Sequence, residues 1–264
     1  MNREDVISIL NTNEILPAGK FGQNFLCDDR VIERIIEVSG IREGDKVLEI
    51  GPGIGALTER LSETGAEVTA VEIDLKLASY LSNALPDVNI IRSDYLKLKD
   101  YSEESYSFAI SNIPYYVMTP IIIKLITDLK NTSKMTFMIE EEALRRIDAP
   151  QNTKQYGPLS IMCSLYGDVK KEFSVSKECF HPRPHTTSAV ISLTRKDNGI
   201  YPDGKFYELL VKCFAQRRKK LVNNCPFIGD ALLETGKDPD RVRAEDLSPM
   251  EYAAIYSKIK EIML

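Results

Sequence analysis

The strongest constraint on the fold is an alternation between two kinds of segment. Short β-branched runs recur: "KVLEI" (46–50), "EVTAVEI" (67–73), "VNIIRSD" (88–94), "SFAISN" (107–112), "KMTFMIE" (134–140) and later "SAVISLT" (188–194). Between the earlier ones lie "GALTERLSETG", "LKLASYLSNAL" and "PIIIKLITDLK", each with apolar residues three and four apart. Such alternation predicts a mainly parallel sheet covered by helices on both faces. Ahead of it, Asp28 and Asp29 open a predicted helix, "RVIERIIEV", that Gly40 stops. After Arg195 the pattern changes. "KDNGIYPDG" reads as a linker, and the residues beyond it have helical periodicity with no convincing strand. The chain is therefore expected to form two domains, an α/β domain over 1–197 and a small all-helical domain over 201–264.

Composition narrows the function classes. The 264 residues are 43% hydrophobic and 28% charged, as in a soluble globular protein. The two histidines, His181 and His185, leave little for a His-based triad, and no metal site is expected. Five cysteines (27, 163, 179, 213 and 225) show no C-x-x-C spacing and read as reduced thiols of a cytosolic protein. The N-terminus carries charges where a secretory peptide needs an apolar core, and "PIIIKLI" is too short to span a bilayer. A cytoplasmic protein is the expectation.

The net charge of −5 argues mildly against a nucleic-acid partner. The acid excess is uneven, however: from Lys196 onward 12 basic residues face 11 acidic ones, and the remainder carries 22 against 28. "QRRKK" (Gln216 to Lys220) is the densest basic run, and its plain reading is a solvated helix face.

The first strand runs into "EIGPGIGALT" (Glu49 to Thr58) and then a helix. Glycines in such a turn let the backbone approach a ligand closely and aim helix N–H groups at it. Glu72 ends the second strand about twenty residues on, where a carboxylate can accept both hydroxyls of a ribose. Asp94 ends the third strand, where an acid can accept from an adenine amine. Each acid alone could simply cap the next helix. Together, beside the glycine turn, they favour a nucleoside ligand. Both NAD and S-adenosylmethionine fit that description. The glycines at 51, 53 and 55 lack the G-x-G-x-x-G/A spacing suited to a pyrophosphate, and acidic surroundings suit a sulfonium better than a diphosphate. The expected cofactor is S-adenosylmethionine.

The fourth strand ends in "SNIPYYV" (Ser111 to Val117), a poor core sequence. Asn and Pro here could form an ordinary turn. They could also serve an exocyclic amine, whose lone pair is delocalised into its ring. Two acceptors on its N–H bonds, the Asn112 side-chain carbonyl and a backbone carbonyl fixed by Pro114, would bias it toward a pyramidal, attacking geometry. Tyr115 could then stack on the base and hold it in line with the methyl group.

These segments resemble one family. Asn-Ile-Pro-Tyr at 112–115 is similar to the motif of the rRNA adenine N6,N6-dimethyltransferases, and "FGQNFL" (21–26) and "VLEIGPGIGALT" (47–58) resemble that family's N-terminal motif and glycine loop. "YGPLS" (156–160), "FHPRPHTTSAV" (180–190), "FAQRRKKL" (214–221) and "RAEDLSPMEY" (243–252) continue the match in order, the last two favouring the KsgA-type small-subunit branch over the erythromycin-resistance branch. The resemblance implies a Rossmann-like class I S-adenosylmethionine-dependent methyltransferase sheet whose N-terminal segment covers the cofactor. It implies that Asn24, Leu26 and Gly53 touch the cofactor, that Gly51 lies under its methionine part, that Glu72 takes the ribose and Asp94 the adenine. Asn112, Pro114 and Tyr115 would form the catalytic set, with Asn112 touching both cofactor and amine, and Phe180 would stack on the other face of a flipped adenine. Arg217, Arg218, Lys219 and Lys220 would grip ribosomal RNA within an assembling small subunit. The family modifies two adjacent adenines in a 3′-terminal hairpin of small-subunit rRNA, and its precedent is a monomer.

Three positions depart from the family pattern. Glu140-Glu141-Glu142 stands where Gln-Lys-Glu is usual, His185 replaces a lysine, and Tyr116 follows the catalytic tyrosine where Asn is common. The alternatives are the same methylation on large-subunit or other RNA, and a non-catalytic RNA-binding assembly factor on a retained fold. A dead enzyme would be free to lose Glu72, Asp94 or the Asn-Ile-Pro-Tyr set, and all are present.

Overall fold

The computed structural model describes residues 1–17, 22–98, 106–129, 131–197 and 199–260. Nine strands occur among them: β1 (Phe25–Leu26), β2 (Lys46–Ile50), β3 (Glu67–Glu72), β4 (Asn89–Arg92), β5 (Phe108–Asn112), β6 (Lys134–Glu140), β7 (Gly167–Val175), β8 (Phe180–His181) and β9 (Ser188–Arg195). Seven of them form one sheet in the order β4-β3-β2-β5-β6-β9-β7. The pairs from β4 to β6 are parallel, and β9 runs antiparallel to β6. All six runs read as strands are strands.

The α/β architecture expected from the alternation is therefore present, and the strand order fixes where a ligand binds. The chain moves outward from β2 through β3 to β4, then returns to the other side of β2 for β5 and β6. That reversal makes a switch point between β2 and β5, at whose carboxyl ends open α/β sheets bind ligands. Central strands are apolar in consecutive positions because both faces are covered: Val47, Leu48, Ala70, Val71, Ala109 and Ile110 are all buried.

Helices follow the strands as the pattern requires: α1 (Arg3–Thr12), α2 (Asp29–Ser39), α3 (Ala56–Glu63), α4 (Leu75–Ala84) and α5 (Met118–Asp128). Asp28 caps α2 by accepting from the Arg30 N–H (3.1 Å), and Gly40 ends it in the left-handed conformation at φ +75°. The N-terminal α1 went unread in the sequence. It starts from a capping box in which Asn2 and Asp5 satisfy each other's backbone N–H groups, and it buries Val6 and Leu10.

The described packing divides into two compact units, residues 1–141 with 170–194 and residues 142–169 with the chain from Arg195 onward. This division differs from the single boundary near 197–201. The excursion between β6 and β7, which holds α6 (Leu144–Ile147) and α7 (Pro158–Tyr166), groups with α8 (Gly204–Cys213), α9 (Leu221–Asn224), α10 (Gly229–Glu234) and α11 (Pro249–Ile259). The reason lies in α7, which is apolar almost all round and buries Leu159, Ile161, Met162, Cys163, Leu165 and Tyr166. Just before it, the Tyr156 hydroxyl donates to the Leu247 carbonyl (2.8 Å) and its ring meets Phe214 edge-on at 6.0 Å. From Tyr201 onward no strand occurs among the described residues, as the periodicity predicts. No helix among the described residues is long and apolar enough to cross a membrane.

Candidate active site

At the switch point, β2 opens into a turn in which Gly51, Gly53 and Gly55 all have positive φ. At two of these positions a side chain would also be crowded, and its neighbours would have to shift. A Cβ on Gly53 would lie 3.1 Å from the Phe25 ring, and one on Gly55 would lie 2.7 Å from Leu81. The turn's N–H groups are spent inside the protein: Gly51 donates to the Val71 carbonyl (2.9 Å), Gly53 to Glu72 Oε2 (3.1 Å) and Gly55 to the Pro52 carbonyl (3.0 Å). Such a loop supplies close approach without a row of free donors for a pyrophosphate, in keeping with the sequence preference for S-adenosylmethionine over a dinucleotide.

The two strand-end acids are not equivalent. Glu72 is buried at the end of β3 and also accepts from the Asp74 N–H (2.8 Å); the cap of α4 is Asp74 itself. Burial pushes the Glu72 carboxyl up to about 7 against the pull of those backbone bonds. Asp94 does act as a cap, accepting from the Leu96 N–H (3.0 Å), with Lys97 Nζ 3.6 Å from its other oxygen. It lines the same cavity as Glu72 while doing so.

Glu49, unassigned from sequence, stands beside them. It occupies a central strand between Ala70 and Ile110, is 2% exposed, and its Oε2 has no hydrogen-bond partner. Burial pushes its carboxyl up to about 8, against a pull from nearby Thr58, whose own hydroxyl completes no hydrogen bond, and with a further push from Glu72. The signal in the sequence was an acid inside "VLEIG", a position where a parallel central strand is normally apolar. Ile73 and Leu96, 47% and 37% exposed, also line the cavity and were not singled out; each follows closely on one of the strand-end acids.

Across the switch point, β5 delivers Asn112. The strand end is pinned by the Ser111 hydroxyl on the Ile50 carbonyl (2.6 Å) and by the Ile113 N–H on the Met138 carbonyl (3.0 Å). The Asn112 amide nitrogen donates to the Asn24 carbonyl (3.2 Å), and Asn24 Nδ2 donates to the Gly22 carbonyl (3.0 Å). With its nitrogen committed, Asn112 keeps its amide oxygen as an acceptor. The Pro114 carbonyl is used by the Val117 N–H (3.1 Å), closing the 3-10 turn Tyr115–Val117. The next carbonyl along from Asn112 is that of Ile113, whose backbone Pro114 keeps out of the helical region. The side chain of Tyr115 lies outside the described residues.

The N-terminal segment completes the wall. β1 pairs antiparallel with β8, placing Leu26 opposite Phe180, and Phe180 is buried. Arg3 of α1 donates to the carbonyls of Glu178 (2.5 Å) and Phe180 (3.0 Å). One cavity of about 280 Å³ is lined by Asn24, Leu26, Gly51, Gly53, Glu72, Asp94, Asn112, Pro114 and Phe180 together. Its mixture of buried carboxyl groups and apolar walls fits a compact nucleoside carrying positive charge.

The basic run belongs to the other unit and lies on the turn after α8, not on a helix face. Arg217 is engaged internally: its guanidinium donates to the Thr153 carbonyl (3.0 Å) and the Lys154 carbonyl and stands 3.5 Å from Glu245. Lys220 pairs with Asp240 at 3.0 Å, whereas Arg218 and Lys219 are exposed. Of the departures, Glu141 pairs with Lys171 and accepts from Ser174 (3.0 Å), which hold its carboxyl below the ordinary range. Glu142 and His185 are exposed. Among the described residues no cluster of His, Cys, Asp and Glu could hold a metal ion.

Comparison with known proteins agrees with the geometry. A ribosomal RNA small subunit methyltransferase A from Shouchella clausii is 37% identical over 98% of each chain. The crystal structure of a dimethyladenosine transferase from Plasmodium falciparum superposes with a TM-score of 0.72 at 21% identity, covering 91% of this chain and 98% of that one. The 23S rRNA methyltransferase ErmE gives 0.63 at 23% identity, covering 90% and 100%, and shares the fold. The family model described as ribosomal RNA adenine dimethylase matches residues 18–261. By that match and by the full-length relative, the chain belongs to the ribosomal RNA adenine dimethylase family.

Proposed function

We propose that this protein transfers methyl groups from S-adenosylmethionine to N6 of two adjacent adenines in a hairpin near the 3′ end of small-subunit rRNA. The observation that carries the reading is the meeting, in one cavity at the sheet's switch point, of the buried acids Glu49 and Glu72 with the Asn112 acceptor. Family membership and the small-subunit relative support it.

The cofactor supplies an electrophilic methyl group on a sulfonium. Glu72 accepts from the ribose hydroxyls and Asp94 from the cofactor's adenine amine. Gly51 and Gly53 let the methionine part lie against backbone, and Asn24 and Leu26 cover it. Asn112 Oδ1 and the Ile113 carbonyl take the two N–H bonds of the target amine, drawing its lone pair out of the ring. Tyr115 and Phe180 hold the flipped base between them. This is catalysis by placement and electrostatics, with the amine proton released to solvent after attack. The C-terminal unit grips RNA through Arg218 and Lys219, within an assembling small subunit in the cytoplasm, and the protein acts as a monomer.

The test uses labelled S-adenosylmethionine and the purified protein. Small subunits lacking the adenine dimethylation, mature small subunits and large-subunit RNA are offered side by side. N6,N6-dimethyladenosine at two adjacent adenines of the unmodified subunit is the expected product. Label in large-subunit RNA would transfer the protein to the resistance branch, and bound cofactor with no label anywhere would leave a non-catalytic factor.

A further inference from the structure

Tyr116 follows the Asn-Ile-Pro-Tyr set and departs from the family pattern. Its ring lines the cavity, yet 59% of the residue is exposed. One side faces the N-terminal segment: Gly22 stands so near that a Cβ placed on it would just touch the ring, 3.5 and 3.6 Å from its Cδ1 and Cε1, and would lie 3.7 Å from Pro114. Gly22 has φ +59°, a conformation that L side chains adopt rarely. Burial and then the Asp94 charge raise the phenol's pKa, so the ring stays uncharged around neutral pH. The backbone beneath it is fixed by the 3-10 turn that the Val117 N–H closes on the Pro114 carbonyl.

An aromatic ring held from behind and wet in front is a surface for another flat group. Extracting one base from a stack uncovers a face of its neighbour, and aromatic side chains cover such faces whatever the base. We propose that Tyr116 is a stacking platform for the nucleobase adjacent to the adenine held at Asn112. The inference rests on the adenine-methylating reading of the cavity. In a substrate with two adjacent target adenines, each is the neighbour of the other. The platform then holds whichever adenine is outside the cavity, keeping the pair in register between successive transfers.

The test compares wild type with Tyr116→Phe, Tyr116→Leu and Tyr116→Ala on unmodified small subunits. Loss of one base–aromatic stack should raise KM for the subunit about tenfold in the Ala and Leu variants, more than it lowers kcat. The Phe variant keeps the ring and should restore the wild-type KM, which a role in mere space-filling would let Leu do as well. Subunits modified at one adenine only should accumulate with Ala and Leu. A KM within twofold of wild type for Tyr116→Ala, in a wild type that methylates normally, overturns the platform and leaves the activity standing. Equal rescue by Leu, or a cofactor Kd that rises as much as KM, overturns it too. Failure of the wild type to methylate any subunit removes the activity and the platform together.

Discussion

Replacing Glu49 by Gln should make the stability of the cofactor-free protein less sensitive to pH. The native carboxyl is 2% exposed and is pushed up to about 8, while an ordinary glutamate sits at 4.5. Between those values the folded protein keeps a proton that the unfolded chain has released. Stability therefore falls as pH rises through that window, by about 1.4 kcal/mol per pH unit for one such group. From about pH 5.5 to about pH 7.5 the wild type loses roughly 2.7 kcal/mol through Glu49 that Glu49→Gln does not lose. For a chain of 264 residues this corresponds to roughly 5–10 °C in Tm. Glu72, pushed up to about 7, contributes a decline of the same sign in both proteins, so the variant still slopes, less steeply. Well above pH 8, from about pH 9 onward, the two curves should run parallel, because Glu49 is then ionised in both states. Thermal or urea unfolding at four pH values between about 5.5 and 8.5 reads the difference. Parallel curves below pH 8 would refute the argument, by showing that Glu49 is solvated or already charged in the fold.

Two further substitutions separate structure from binding. Arg217→Ala removes the donor to the carbonyls of Thr153 and Lys154 at a partly exposed site and should cost about 0.5–1.5 kcal/mol in unfolding experiments. Arg218→Ala, at an exposed position, should leave Tm unchanged and lower the salt dependence of RNA binding by about one unit of slope. Gly53→Ala forces a non-glycine residue to φ +61° and a Cβ to 3.1 Å from Phe25, at a cost of about 1–3 kcal/mol. By calorimetry its cofactor Kd should rise at least about tenfold, and an unchanged Kd would remove the glycine turn from the cofactor site.

The legible part of the site obeys local grammar. Gly51, Glu72, Asp94 and Asn112 were legible because each stands at the end of a β-branched run, and parallel order brings such ends to one edge of a sheet. Glu49 was visible as a letter and silent as a role, since only the fold reveals that its carboxyl is buried beside the cavity with one oxygen unpartnered. "QRRKK" showed charge but not occupation: the carbonyls that hold Arg217 come from residues more than sixty positions away. The assignment of residues 142–169 failed for the same reason. The contacts of Tyr156 with Phe214 and Leu247 are long-range, and no local pattern encodes them. Helix α1 was missed through neglect of a local signal, the Asn2–Asp5 capping box.

The proposed preparation of the target amine by Asn112 is read by single-turnover methyl transfer with Asn112→Ala. With saturating labelled cofactor and unmodified small subunits, the variant should transfer at least about a hundredfold more slowly than wild type, the scale on which one positioned hydrogen-bonding group acts. Its stability should fall by no more than about 1 kcal/mol, the worth of the one bond lost to the Asn24 carbonyl at a half-buried site. A near-normal rate for a folded, cofactor-saturated Asn112→Ala would contradict the account, and the amine would have to be activated elsewhere in the cavity.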